Sequence, residues 1–255
     1  MQHARRLASI AVVASLTVGG LSACRSEPSV AAYIGDKTRV TETRVQEVWD
    51  DAAAAVRSTA AEQPPASAAP GAPAAPTGMP ITRTDIVRTL VSNDVLTQVA
   101  RRESVTLPAD LPLGDYATQL RLPQQAEYVR LYAESDALLR ALRTKAQAGA
   151  GEPTEADLRE VFDVLVSAQE VPAGTTFEQF QTQLPAENLA LVKTAAAVRK
   201  EVVETTQAMK ITVNPRYQPL GIPVLEFQTQ NGALQPLVTV PLGETTGNNP
   251  VLDVS

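Results

Sequence analysis

The sequence predicts a mainly α-helical domain with a small β-sheet that joins an N-terminal hairpin to a C-terminal strand. β-prone runs lie near the start of the folded part, at 32–40, and near its end, at 210–213. Between them, apolar residues recur at intervals of three and four along several long segments, which is the spacing of amphipathic helices. Because each such helix must bury one stripe, we expect the helices to pack together between the two paired ends of the chain.

The first 23 residues have the pattern of a secretory leader. Arg5 and Arg6 supply its positive charge, and residues 7–20 form an apolar stretch that is too short for a membrane span with its own flanks. Residues 21–24, Leu-Ser-Ala-Cys, resemble the bacterial lipobox, which implies that Cys24 carries a lipid and that residues 24–30 are a tether. Two or more acyl chains hold a protein stably at a bilayer. We therefore expect a lipid-anchored protein at the extracytoplasmic face of the cell membrane; the alternative is a secreted protein with a chance cysteine.

Composition excludes several classes of function. The chain has 28 acidic and 22 basic residues and a net charge of −6, so the basic footprint of a nucleic-acid-binding protein is absent. His3 is the only histidine and lies in the leader, and Cys24 is the only cysteine. Ser-His or Cys-His nucleophilic catalysis and the usual zinc sites therefore lack their residues. We expect no enzyme activity, no metal and no cofactor.

The N-terminal hairpin leads directly into the first helix. Gly35 and Asp36 favour a turn between its two short strands. Thr41 can cap the helix, and Val40 and Val45 have the spacing of a hydrophobic staple. The predicted inner face of this helix contains Val45, Val48, Trp49, Ala52 and Val56.

Proline and capping signals divide the middle of the chain. Six prolines at 62–80 predict an extended insertion before a second helix that Thr82 caps, and Pro108 and Pro112 predict a break after it. Further helices are predicted at 124–148, after Thr154, after a capping box of Thr175 and Glu178, and at 186–209. Residues 221–255 form a tail, for which a hairpin around Asn231 and Gly232 and disorder both remain open.

Three segments resemble the N-terminal domain of the SurA, PrsA and trigger-factor chaperones. They are the strand-turn-strand-helix pattern at 31–49, the helix at 86–105 and the run Ile-Thr-Val-Asn-Pro-Arg-Tyr at 211–217. Together they cover residues 31–220 with gaps. Relatives of this type often carry a parvulin prolyl-isomerase domain, but here the interval 151–209 is short and has helical spacing. The resemblance therefore implies a chaperone domain without an isomerase.

Such a domain implies a holdase that binds unfolded or newly translocated polypeptides on a concave apolar surface. Aromatic side chains supply contact area at low entropic cost, so they are the natural lining. The candidate client-binding residues are Tyr128, Leu131, Tyr132, Phe177 and Phe180. Alternatively, these five belong to the core. A second hypothesis is a non-catalytic adaptor that docks one specific partner in the cell envelope.

Overall fold

The computed structural model describes residues 27–62, 78–229 and 234–243. In chain order the elements are β1 (Val30–Ile34), β2 (Thr38–Thr41), α1 (Glu42–Glu62), α2 (Arg83–Arg102), α3 (Leu113–Leu120), α4 (Glu127–Gln147), α5 (Glu155–Ser167), α6 (Phe177–Gln183), α7 (Ala186–Met209), β3 (Ile211–Val213), a 3₁₀ turn (Pro215–Tyr217), β4 (Leu220–Gln228) and β5 (Leu234–Leu242). The leader with Cys24, most of the proline-rich insertion and the end of the tail lie outside the described residues. Within the described segments, none of the helices combines the length and the apolar character needed to cross a bilayer.

The three-stranded sheet joins the two ends of the folded chain, and the predicted fold class is confirmed. β1 is the central strand and pairs antiparallel with β2 on one side and with β3 on the other. Ala32 lies opposite Val40 in β2 and opposite Val213 in β3, and every residue of β1 is buried. Because β3 supplies the second set of backbone partners for β1, the C-terminal strand closes the fold around the N-terminal hairpin.

The residues after β3 fasten the C-terminal part of the domain to its N-terminus. The Asn214 side chain donates a hydrogen bond to a carbonyl of β1 at 3.1 Å. The Arg216 guanidinium donates to the carbonyl of Pro28 at 2.7 Å and lies 2.6 Å from the Glu42 carboxylate. The Tyr217 hydroxyl donates to the other oxygen of Glu42 at 2.8 Å. The Asn-Pro-Arg-Tyr run at 214–217 therefore contacts the acidic first turn of α1 through Glu42.

α1 and α2 begin where their capping residues predict. The N–H of Arg44 donates to the Thr41 hydroxyl at 3.1 Å. Thr82 and Asp85 form a reciprocal capping box at the start of α2, with N–H to side-chain distances of 3.2 and 2.9 Å. The core-facing stripe of α2, which packs against α1, α4 and α7, contains Ile86, Val87, Val91, Val95, Leu96 and Val99.

α4 and α7 are the long helices that pack on α2 and on each other. The buried residues of α7 recur at helical spacing as Val192, Ala195, Val198, Val202 and Thr205. Arg102, in the last turn of α2, donates to the Thr205 hydroxyl at 2.8 Å and pairs with Glu201 and Glu204. Full burial of a valine side chain contributes about 1.5–3 kcal/mol, so these interlocked stripes are the main source of stability.

The chain after Leu220 forms a β-hairpin that contributes to the core. For this tail the sequence left open a hairpin or disorder. β4 and β5 pair antiparallel, so the structure shows the hairpin. Four of its residues, Ile222, Val224, Val238 and Val240, are at most 2% exposed. The hairpin packs on α2, α5 and α7 and is not an appendage. Its predicted turn at Asn231 and Gly232 lies outside the described residues.

Two local features differ from the sequence prediction. α3 follows Pro112, where the prolines predicted only a break. Proline is compatible with a helix start, because the first N–H groups of a helix have no intrahelical partner. The capping box of α6 consists of Thr176 and Gln179 and not of Thr175 and Glu178. The Thr175 hydroxyl instead donates to the carbonyl of Pro172 at 2.8 Å.

Candidate functional site

The five residues predicted to line a client surface lie mostly in the core. Tyr128, Leu131, Phe177 and Phe180 are buried, and Tyr132 is half-buried. The open lining expected from the sequence is therefore wrong for four of the five, and the core alternative describes them. The physical reason is that burying a large apolar side chain stabilises the fold by about 1.5–3 kcal/mol, which an exposed lining would forgo.

Tyr128 and Tyr132 form an aromatic cluster with Tyr116 of α3. The ring centroids of Tyr116 and Tyr132 are 6.0 Å apart in an edge-to-face arrangement, and those of Tyr128 and Tyr132 are 6.3 Å apart. The hydroxyl of Tyr128 accepts a hydrogen bond from the Thr89 hydroxyl at 3.3 Å. Burial raises the pKa of Tyr128 to about 12, so its hydroxyl stays protonated at neutral pH. This cluster holds α3 against α4.

Phe177 and Phe180 belong to a second cluster, around Phe162 of α5. Their ring centroids lie 5.7 and 5.3 Å from that of Phe162. The Arg159 guanidinium lies 4.1 Å from the centroid of the Phe177 ring, within cation–π range. Among the described residues no ring contact joins this cluster to the tyrosines. The five predicted residues therefore do not form one surface.

A small cavity lies between α2, α4 and β4. Its volume is about 70 Å³, and its lining includes the side chains of Ser92, Tyr132, Asp136 and Glu226. Asp136 accepts a hydrogen bond from the Tyr116 hydroxyl at 2.6 Å. Burial raises the pKa of Glu226, whose carboxyl group makes no hydrogen bond or ion pair among the described residues. The cavity therefore places the carboxyl groups of Asp136 and Glu226 beside a mainly apolar surface.

A larger opening, which we call the α4–α7 groove, has a volume of about 320 Å³ and an apolar centre. Leu191 of α7 is 51% exposed, whereas Leu225 of β4 is only 9% exposed and forms the floor beside it. The other side chains that line the groove are Arg140, Arg143, Thr144 and Gln147 of α4 and Thr194 and Ala195 of α7. An exposed leucine next to a buried one gives an apolar surface that solvent, or a ligand, can reach.

Two arginines of α4 border the groove and are held in different ways. Arg140 is engaged by an acid, since its Nε lies 2.7 Å from the Asp136 carboxylate, and its guanidinium lies 5.7 Å from the centre of the Tyr116 ring. Arg143 Nε donates to the backbone carbonyl of Val224 at 2.9 Å. Burial lowers the pKa of Arg143, yet an arginine remains charged at neutral pH. The groove therefore has a fixed positive charge beside its apolar floor.

The arrangement supports binding and offers no evident route to covalent chemistry. The hydroxyl of Thr194 is used within its own helix, where it donates to the carbonyl of Ala190 at 2.8 Å. In the part of the chain that the structure describes, no three His, Cys, Asp or Glu side chains are grouped so that they could hold a metal ion. The groove can bind a ligand whose apolar group contacts Leu191 and Leu225 and whose anionic group lies next to Arg143.

Sequence reasoning found one of these lining residues, Tyr132, which borders the small cavity between α2, α4 and β4. It missed Arg143, Leu191 and Leu225. One signal was present for Leu191, because a leucine next to Val192 lies off the stripe that α7 buries. Comparisons of the chain with protein-family models, with curated proteins and with solved structures found no match.

Proposed function

We propose that this protein is a lipid-anchored, extracytoplasmic holdase that binds unfolded or newly translocated polypeptides without catalysis. The observation that carries the proposal is the α4–α7 groove, where Leu191 is exposed beside the nearly buried Leu225. A groove of about 320 Å³ accepts an apolar side chain or two of an extended polypeptide. Reversible burial of such side chains keeps a client from associating with other unfolded chains.

Two further observations support this proposal. The lipobox that ends at Cys24, which lies outside the described residues, favours a membrane anchor over a free secreted protein. The pairing of β3 with β1 agrees with the returning strand that the resemblance to the SurA, PrsA and trigger-factor domain implies. A holdase at the membrane surface would meet translocated chains before they aggregate.

No catalytic step is part of the proposal. A prolyl isomerase must lower a barrier of about 18–20 kcal/mol, which requires a preorganised pocket that excludes water from the twisted amide. The α4–α7 groove is open to solvent at Leu191 and therefore does not exclude water. We expect no acceleration of proline-limited refolding by the purified protein.

Aggregation of unfolded clients tests the proposal. The full chain, reconstituted in phosphatidylcholine nanodiscs, is mixed at near-equimolar ratio with several unrelated denatured proteins, and light scattering is followed. We expect slower aggregation with the wild type, weaker protection with Leu191→Ser, and wild-type protection with Leu107→Ser. Leu107 is the matched control, since it is an exposed leucine outside the groove, and surface changes of this kind should leave the melting temperature unchanged. Absence of protection for every client would reject the holdase.

The exposed apolar surface also favours a second candidate, an adaptor for one folded partner. In the described segments, the large hydrophobic residues that are exposed are only Leu107, Val166, Leu191 and Leu234. A receptor for many clients usually offers a wider apolar patch, whereas one defined groove fits one defined partner. Selectivity separates the two: a holdase protects unrelated clients, and an adaptor retrieves one partner after crosslinking and ignores denatured proteins.

A further inference from the structure

Arg143 is the one half-buried arginine of the described chain that has no carboxylate within 4 Å. Each of the other half-buried arginines has an acidic partner, and these are Arg44, Arg88 and Arg199. The remaining arginines without such a partner are exposed, and these are Arg57, Arg83, Arg101 and Arg121. Arg143 therefore has no direct ion pair, although the more distant charges of Asp136 and Glu226 favour its charged form, and its guanidinium is available to a bound anion.

The hydrogen bond from Arg143 Nε fixes the orientation of the guanidinium and leaves its two Nη groups free to bind a ligand. Nε donates to the Val224 carbonyl at 2.9 Å, and within the described residues the two Nη atoms make no hydrogen bond. Four N–H groups therefore remain in a planar fork, which is the geometry that binds both oxygens of one carboxylate. Burial lowers the pKa of Arg143, in agreement with a guanidinium that water solvates poorly.

The neighbours of Arg143 restrict the ligand further. Leu191 and Leu225 line the same groove, so the ligand has an aliphatic part close to its anionic part. The charges of Asp136 and Glu226 act on Arg143 and raise its pKa. They would repel any negative group of the ligand beyond the one that Arg143 binds. The net charge of −6 also disfavours a polyanion. A single carboxylate beside an aliphatic side chain satisfies all of these conditions.

We propose that the α4–α7 groove selects polypeptide segments in which one side-chain carboxylate, bound by Arg143, lies next to an aliphatic side chain, bound by Leu191 and Leu225. The inference rests on the proposed function and names the class of segment that this groove holds. The carboxylate is that of an Asp or Glu side chain, because a holdase meets internal segments of unfolded chains far more often than their ends. Arg143 then provides a preference among clients that an apolar groove alone would lack.

Peptide binding tests the selection. The wild-type full chain in phosphatidylcholine nanodiscs is titrated against fluorescent acetyl-Gly-Leu-Glu-Leu-Gly-amide and its Gln counterpart, and anisotropy is measured. We expect the Glu peptide to bind about tenfold more tightly, as a charge-assisted bidentate pair does, and the preference to weaken at 1 M salt. Replacing the central Glu by three consecutive Glu residues should weaken binding, because Asp136 and Glu226 repel the added charges.

Variants assign the preference to Arg143. Arg143→Met should bind the Glu and Gln peptides to within about twofold of each other, Arg143→Lys should keep part of the preference, and Arg57→Met should keep all of it. The salt dependence of the wild type needs no variant, so the test remains decisive even if Arg143→Met folds poorly. A preference for the free C-terminal acid of the Gln peptide over the amidated Glu peptide would overturn the assignment to side-chain carboxylates.

The two proposals can fail separately. If unrelated clients are protected and Leu191→Ser weakens that protection, yet the Glu and Gln peptides bind equally, the carboxylate selection is wrong and the holdase stands. If no client is protected and neither peptide binds, both are wrong. Tight binding of the Glu peptide without protection of any client would support the selection and favour the adaptor.

Discussion

Among single residues, Tyr128 has the clearest effect on stability. It is 3% exposed, contacts the Tyr132 ring and accepts a hydrogen bond from Thr89. Tyr128→Ser removes the ring from the core and should lower the free energy of unfolding by about 3–5 kcal/mol. Tyr128→Phe removes only the hydroxyl and should cost about 1 kcal/mol. Urea denaturation measures both; a Ser variant as stable as the wild type would show that the ring is not part of the core.

Asp85 makes the stability of α2 depend on pH. Partial burial raises the pKa of Asp85, but hydrogen bonds from Thr82 and Arg88 outweigh that effect, and the folded pKa lies below the ordinary 3.8. The carboxylate therefore stabilises the fold above the ordinary pKa, and this contribution is lost as the pH falls through the lowered folded value. Asp85→Asn should cost about 0.5–2 kcal/mol at pH 7 and progressively less below about pH 4.

Urea titrations between pH 3 and pH 7 check this dependence. Asp163→Asn is the matched control, because the Asp163 side chain is exposed and makes no hydrogen bond or ion pair among the described residues. Its stability should follow that of the wild type at every pH. A cost of Asp85→Asn that is the same at pH 3 and pH 7 would contradict the role given to the carboxylate.

What sequence can predict at this scale depends on how local the interaction is. The caps at Thr41 and Thr82 were predictable, since the partners lie three residues apart in the chain. The burial of Tyr128 was not, because residues at the same helical spacing serve equally as core and as an exposed lining until the neighbouring helices are placed. Arg143 was missed for the same reason: its carbonyl partner, on Val224, is distant in sequence.

Among the elements, the β4–β5 hairpin depends on the absence of a side chain at Gly221. A Cβ there would lie 2.4 Å from Thr239 Cγ2 and 3.0 Å from the carbonyl oxygen of Val240, and that backbone oxygen cannot move independently of β5. Gly221→Ala should lower the free energy of unfolding by about 1–3 kcal/mol. Gly78→Ala is the control, since nothing lies within 4 Å of its added Cβ. Equal melting temperatures for the two variants would show that the hairpin accommodates a Cβ at position 221 without loss of stability.

The two sheets differ in how far their sequences reveal them. The pairing of β3 with β1 was predicted from β-prone runs at both ends of the chain, and it is confirmed. The β4–β5 hairpin was harder to predict, because Pro223, Pro236 and Pro241 remove N–H donors from its strands. Each strand of a two-stranded sheet is an edge strand, however, so a proline can face away from its partner without loss of a bond.

For the molecule as a whole, the proposed membrane anchor can be tested at a single side chain, that of Cys24. Cys24→Ser removes the thiol that lipidation requires and should abolish metabolic labelling with a fatty acid. The variant should also leave the membrane fraction, because the proposed anchor is the lipid carried by that thiol. Metabolic labelling and fractionation of cells that express the variant check these two outcomes. A Ser variant that remains with the membranes would show that another feature holds the protein there.

The whole architecture supports the holdase in one specific way. The sheet ties both ends of the folded chain together, and the helix stripes between them are buried, so client binding need not open the core. The α4–α7 groove then provides apolar surface, bordered by Leu191, on a domain that stays folded. A client held there should be close to Leu191 and distant from Leu107.

Photo-crosslinking measures that proximity directly. Benzoylphenylalanine is introduced at position 191, or at 107 as the control, in the full chain, which is then illuminated with several denatured clients. We expect crosslinks to unrelated clients from position 191, suppressed by excess acetyl-Gly-Leu-Glu-Leu-Gly-amide, and few crosslinks from position 107. Equal crosslinking from both positions, unaffected by the peptide, would contradict the claim that this protein holds unfolded chains in the α4–α7 groove.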